Sequence, residues 1–107
     1  MNTALSDPSS TLLGSLPGLL PTLEALYKDV HAHPELSMQE KRTAGLAEKH
    51  LRDNGYEVTA GLGRTGVVGL LRNGEGPTVM LRADMDALPV REASGVDYAS
   101  TVMATDA

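Results

Sequence analysis

The sequence predicts an α/β chain: two N-terminal helices, then a sheet that contains a β-hairpin. Three observations predict it. Apolar residues recur at helical spacing from Pro21 to Asp53, the period turns extended after Gly55, and a last apolar run, Val79-Met80-Leu81, has consecutive apolar residues like a strand covered on both faces.

The elements follow in order. Residues 1–17 mix Ser, Thr, Asp, Pro and Gly without a period, and residues 1–20 are expected to form a disordered tail ahead of a folded part over 21–107. Pro21 suits a first helical position, and Leu23, Leu26, Tyr27 and Val30 fall at i, i+3, i+4 and i+7, which predicts a helix over 21–32 ending before Pro34. Ser37 followed by Glu40 spells a capping box for a second helix over 38–53. Its Ala44, Ala47 and Leu51 face implies close packing on a sheet, and Asn54-Gly55 supplies a left-handed stop. "YEVTA", "GVVGLLR" and "PTVMLRADMD" read as strands, with "NGEG" as the hairpin turn between the last two. The 77–84 strand should be central, yet two helices are too few to cover it. An apolar patch should therefore remain, making the free chain aggregation-prone.

Composition narrows the function classes. The 107 residues are one domain at most, with 41% hydrophobic residues but no Phe or Trp, so any core is built from Leu, Val, Ala and Met. A net charge of −5 without a basic cluster argues against nucleic acid. The N-terminus lacks a basic leader region and is broken by Gly14, Pro17, Gly18 and Pro21, so neither a signal peptide nor a membrane span is expected. The absence of cysteine excludes thiolate metal sites within the 107 residues and fits a cytoplasmic protein.

Three stretches are candidates for chemistry. "GLGRTG", residues 61–66, has the letters of a dinucleotide-binding loop. That loop must open a helix whose amides take the pyrophosphate, whereas Val67-Val68-Gly69-Leu70-Leu71 is a strand run, so a glycine-rich loop between strands is the better reading. In "HAHPELS", residues 31–37, His31 and His33 diverge on a helix and Pro34 separates them from Glu35, which favours a helix-to-helix connector whose imidazoles bond helix-end carbonyls. The third is Asp84-Met85-Asp86. At the carboxyl end of a strand two carboxylates on one face suit a divalent cation or proton transfer, while the plain alternative is a strand cap leading into the turn at Pro89. Phosphotransfer through an aspartyl phosphate is disfavoured by Leu88 where Thr or Val is wanted, and nothing resembles a sugar-nucleotide pocket.

Taken together, "LYKDVHAHPELSMQEKRTAGLAEKHLRDNGYEV" and "GVVGLLRNGEGPTVMLRADMDALPVREASGVDYAS" resemble the N-terminal portion of the metal-dependent amidohydrolases related to hippurate hydrolase and indole-acetyl-amino-acid hydrolase, among the aminoacylase-related metallopeptidases. The resemblance covers roughly 21–100 and implies that 21–107 are the N-terminal part of an incomplete zinc-peptidase-like catalytic domain. It implies hydrolysis of the amide bond of N-acyl amino acids or short peptides by a pair of divalent metals, zinc or manganese. Asp84 is then the catalytic-site residue, behind the metals, with Arg82 where more distant relatives place a metal-binding His. Asp86, without such an assignment, is expected to bind turn amides.

The family's metal ligands and its general base come from segments that this sequence does not contain. No metal ligand is therefore assigned, and the 107 residues alone are expected to bind no metal tightly and to be inactive. Homodimerisation is expected only through the family's separate dimerising domain. The alternative is a non-catalytic remnant or interaction module.

Overall fold

The computed structural model describes residues 8–103. Helix α1 spans Pro8–Leu13 and α2 spans Leu16–Ala32. The expected tail is thus helical from Pro8 onward, and α2 starts five residues ahead of Pro21; residues 1–7 lie outside the described residues. The physical reason is Pro17, which takes the helix-opening role assigned to Pro21, at a position where a missing N–H costs nothing. Pro21 is carried inside the helix. The end of α2 matches the sequence: His33 leaves helical geometry at φ −126° and ψ 61°, as a residue before proline must. The apolar stripe of α2 is not covered, Leu23 and Tyr27 being 47% and 60% exposed.

Helix α3 spans Lys41–Asp53, three residues later than the capping box predicts. Ser37 and Met38 form a turn instead, closed by the Gln39 N–H on the Leu36 carbonyl. Glu40 does reach back, to the N–H of Met38 at 2.8 Å rather than to Ser37, and its other oxygen accepts from the Thr65 hydroxyl. Arg42 Nη2 meets both Asp29 oxygens at 2.8 Å and braces the start of α3 against the end of α2. The stop at Asn54-Gly55 is as read: Gly55 has φ 86°, and the Tyr56 N–H closes on the Leu51 carbonyl at 3.0 Å.

Strands β1, Glu57–Leu62, and β2, Gly66–Leu70, form an antiparallel pair with a register shift between Ala60 and Leu62. Their connection lies within the "GLGRTG" stretch, confirmed as a glycine-rich loop between strands: Gly63 and Arg64 of the turn have positive φ, as does Gly61 at the register shift in β1. The hairpin therefore lies one strand earlier than "NGEG" predicts. α3 packs on both strands. Gly69 permits the approach, since a Cβ there would meet both Leu51 methyls at 3.0 Å and the Tyr56 ring at 3.3 Å.

The predicted central strand is corrected. Among the described residues no helix or strand follows Leu70, and Val79, Met80 and Leu81 are 84%, 86% and 94% exposed. A strand needs a neighbour to take its backbone bonds, and among the described residues no strand pairs with 77–84. Helices with an antiparallel two-stranded sheet are what the α/β reading retains. No hydrophobic residue among those described is buried; the buried pair is polar, Glu40 and Thr43.

Candidate functional site

The connector "HPELS" and the tip "ADMDALP" meet at Glu35. Because Pro34 has ended α2, Glu35 lies outside the helix and its carbonyl is available; it accepts the Ala87 N–H at 2.8 Å. The side chain turns the other way and caps α3. Its Oε2 accepts the Arg42 N–H at 2.9 Å, and its Oε1 accepts the Thr43 N–H and hydroxyl, both at 2.7 Å. Partial burial pushes the Glu35 carboxyl up, but the Arg42 and Thr43 donors and the Arg42 charge outweigh it and hold it below its ordinary value. One residue thus ties the first turn of α3 to the segment after Asp86.

A second tie lies nearby. His31 Nε2 meets the Glu92 carboxylate at 2.8 and 3.0 Å, sixty-one positions along the chain. Glu92 also accepts the Ser100 N–H at 2.8 Å and the Ser94 hydroxyl, and these two donors, followed by His31, hold its carboxyl down at about 2. Tyr98 stands edge-on to His31 and Tyr27, at 5.2 and 6.0 Å between ring centres, with Lys28 Nζ 5.5 Å from its own centre. His33 makes the expected helix-end contact, Nδ1 to the Asp29 carbonyl at 2.7 Å. His31 does not.

Asp84 and Asp86 lie on exposed irregular chain rather than at the end of a strand. Arg82 Nη2 donates to Asp84 Oδ1 at 2.6 Å. Both aspartates border a shallow cleft of about 440 Å³ with Arg82, Glu40 and Thr65. Asp86 also borders a larger cleft of about 890 Å³, together with His31, Glu35, Ala87 and Glu92. The backbone-amide contacts expected for Asp86 are not among the bonds formed there; the turn after it is closed by the Val90 N–H on the Leu88 carbonyl at 2.8 Å.

Sequence reasoning missed Glu92 and the capping role of Glu35. Glu92 stands in "VREASGVDYAS", which has no period, and its partner is too distant for any local spacing to point to it. Glu35 was legible as a conspicuous acid after a helix-ending proline, seven residues before the amide it caps.

No three His, Asp or Glu side chains among the described residues are gathered as a metal site. The Glu35 carboxylate is taken up by the Arg42 and Thr43 donors, while His31 and His33 each use one ring nitrogen in the contacts above; with no third acid or imidazole gathered beside them, the described residues do not make up the ligand set of a metal pair.

Comparison with known proteins supplies the class. The chain is 44% identical over 78 residues to hippurate hydrolase of Campylobacter jejuni, covering 72% of this chain and 20% of that protein. It is 51% identical over 79 residues to thermostable carboxypeptidase 2 of Saccharolobus solfataricus, with coverages of 72% and 20%. With N-acetyl-L-cysteine deacetylase of Bacillus subtilis it shares 38% identity over 91 residues, 80% of this chain and 22% of that one. No family model matches the chain, and no solved structure matches it. The chain is similar to the N-terminal portion of amidohydrolases and carboxypeptidases such as hippurate hydrolase, and it spans about a fifth of the length of these relatives. No described helix is long and apolar enough to cross a membrane.

Proposed function

We propose that residues 21–107 are the N-terminal part of the catalytic domain of a metal-dependent, cytoplasmic amidohydrolase that cleaves the amide bond of N-acyl amino acids or short peptides. The observation that carries this reading is the junction of its two motifs. The Glu35 carbonyl holds Ala87, so "HPELS" positions "RADMDALP", in a stretch 38–51% identical to enzymes named for hippurate hydrolysis, deacetylation and carboxypeptidase action. Hydrolysis of an amide by a metal pair requires a ligand set and a base to take the proton of water. On this reading the ligand set, the base and the dimerising surface come from parts of the full-length relatives that these residues do not match. Within this reading Asp84 is the residue of the site that the 107 residues contribute, an orienting carboxylate rather than a ligand.

Grafting residues 21–103 in place of the matching segment of the Campylobacter jejuni hippurate hydrolase tests the assignment. Hippurate turnover by the graft is expected, with Asp84→Asn lowering turnover or metal affinity by at least about tenfold and Asp86→Asn affecting melting more than turnover. A folded, metal-loaded graft without activity, or full activity in Asp84→Asn, would overturn it. The 107-residue chain alone should show no turnover.

A further inference from the structure

Residues 85–100 carry no regular secondary structure, and no hydrophobic side chain in the described molecule is buried. Their placement therefore rests on directional contacts, and these concentrate on one carboxylate. Glu92 receives His31 Nε2 from α2, the Ser100 N–H from ahead along the chain and the Ser94 hydroxyl from two residues on. Its side chain is 17% exposed, against 65% for Asp84, so its bonds compete less with water than that of Asp84.

Between Glu92 and the Asp84-Met85-Asp86 tip the chain is short and stiff. Pro89 has a fixed φ, and the Val90 N–H on the Leu88 carbonyl at 2.8 Å closes a three-residue turn around it. On the far side of that turn is Ala87, held by the Glu35 carbonyl. Arg91 alone separates this turn from Glu92, so the path from Glu92 to Ala87 is short. We propose that Glu92 is a positioning residue: clamped by His31, it sets the Ala87–Glu35 junction through the Pro89 turn and so fixes where Asp84 and Asp86 stand. The tie between Glu92 and α2 is the anchor, and the tip is its load.

The proposal rests on the amidohydrolase reading only in treating Asp84 as the residue worth positioning. Its test requires no turnover, so its failure is distinct from an inactive graft. Amide exchange is followed by NMR on the 107-residue chain. In Glu92→Gln the new side-chain amide faces the Ser100 and His31 donors with an NH2 in place of one acceptor oxygen. The Ser100 and Ala87 amides are then expected to exchange about tenfold faster or more, the loss of a bond to a charged group. The amides of β1 and β2 should be unchanged. His31→Leu should reproduce the effect, and His31→Gln, which retains a donor, should restore most of the protection. Unchanged exchange at Ala87 in Glu92→Gln overturns the proposal. So does equal acceleration in the hairpin, which would make Glu92 a general stabiliser, or failure of His31→Gln to rescue. Exchange of Ala87 and Ser100 at unfolded rates in the unsubstituted chain overturns it as well.

Discussion

Residues 77–83 and 85–100 are neighbours without regular structure, and only the second is pinned to the rest of the molecule. The first stretch is rich in large apolar side chains, and its Val79, Met80 and Leu81 are the most solvent-exposed of the large hydrophobic residues described. The second is polar and mixed, and it is pinned to α2 and the connector by Glu92, Tyr98 and the Ala87 N–H. Apolar attraction is nondirectional and acts only when a second surface is present to share the loss of water. A hydrogen bond to a carboxylate needs just one partner, and that partner can lie sixty positions away. In this chain the segment with the stronger apolar drive is consequently the less well held.

Acid should break the comparison most completely. Glu92 is held at about 2, below the ordinary carboxyl value of 4.5, so its stabilising contacts are fully present above about 4.5 and are lost as the pH falls toward 2. Ring signals of Tyr98 should report release of 85–100 with a midpoint well below the ordinary carboxyl range, and a midpoint at 4.5 would contradict the clamp. Next in size is the apolar stretch. A Met80→Lys, Leu81→Glu double substitution should lower hydrophobic-dye fluorescence severalfold and leave the far-ultraviolet dichroism unchanged, because the two side chains are 86% and 94% exposed. Sharp cooperative melting without dye binding by the unsubstituted chain would show instead that the patch is covered in solution.

Glu35→Ala should have a smaller, local effect. Removing the carboxylate leaves the Arg42 and Thr43 amides uncapped, at a cost of about 1–2 kcal/mol to α3, read as faster exchange of those two amides before any change in β2. Smallest is Arg72→Ala. Its ion pair with Glu57 joins side chains 72% and 64% exposed, and thermal or urea denaturation should register less than about 0.5 kcal/mol.

Much of the helical architecture was legible because its signals are local. Pro34 ends α2, Asn54-Gly55 ends α3, and the run after "GLGRTG" shows that the glycines serve a turn between strands. Each outcome follows from a residue's own φ preference or from the period of ten neighbouring side chains. The start of α2 was misplaced because two prolines four apart both suit a first turn, and local preference does not choose between them.

The site divides in the same way. Asp84 and Asp86 stand out in the sequence as paired acids after an apolar run, but whether that run is a strand depends on a neighbour, and backbone pairing is a property of two segments rather than one. Glu92 is unremarkable by composition, spacing or period. What makes it a clamp is that α2 presents His31 to it across sixty-one positions while the chain doubles back to bring the Ser100 N–H. The sequence by itself determined where α2 and α3 stop and which side chains are able to bond; tertiary structure alone decided which of them meet, because contact between distant residues depends on the path of the whole chain between them.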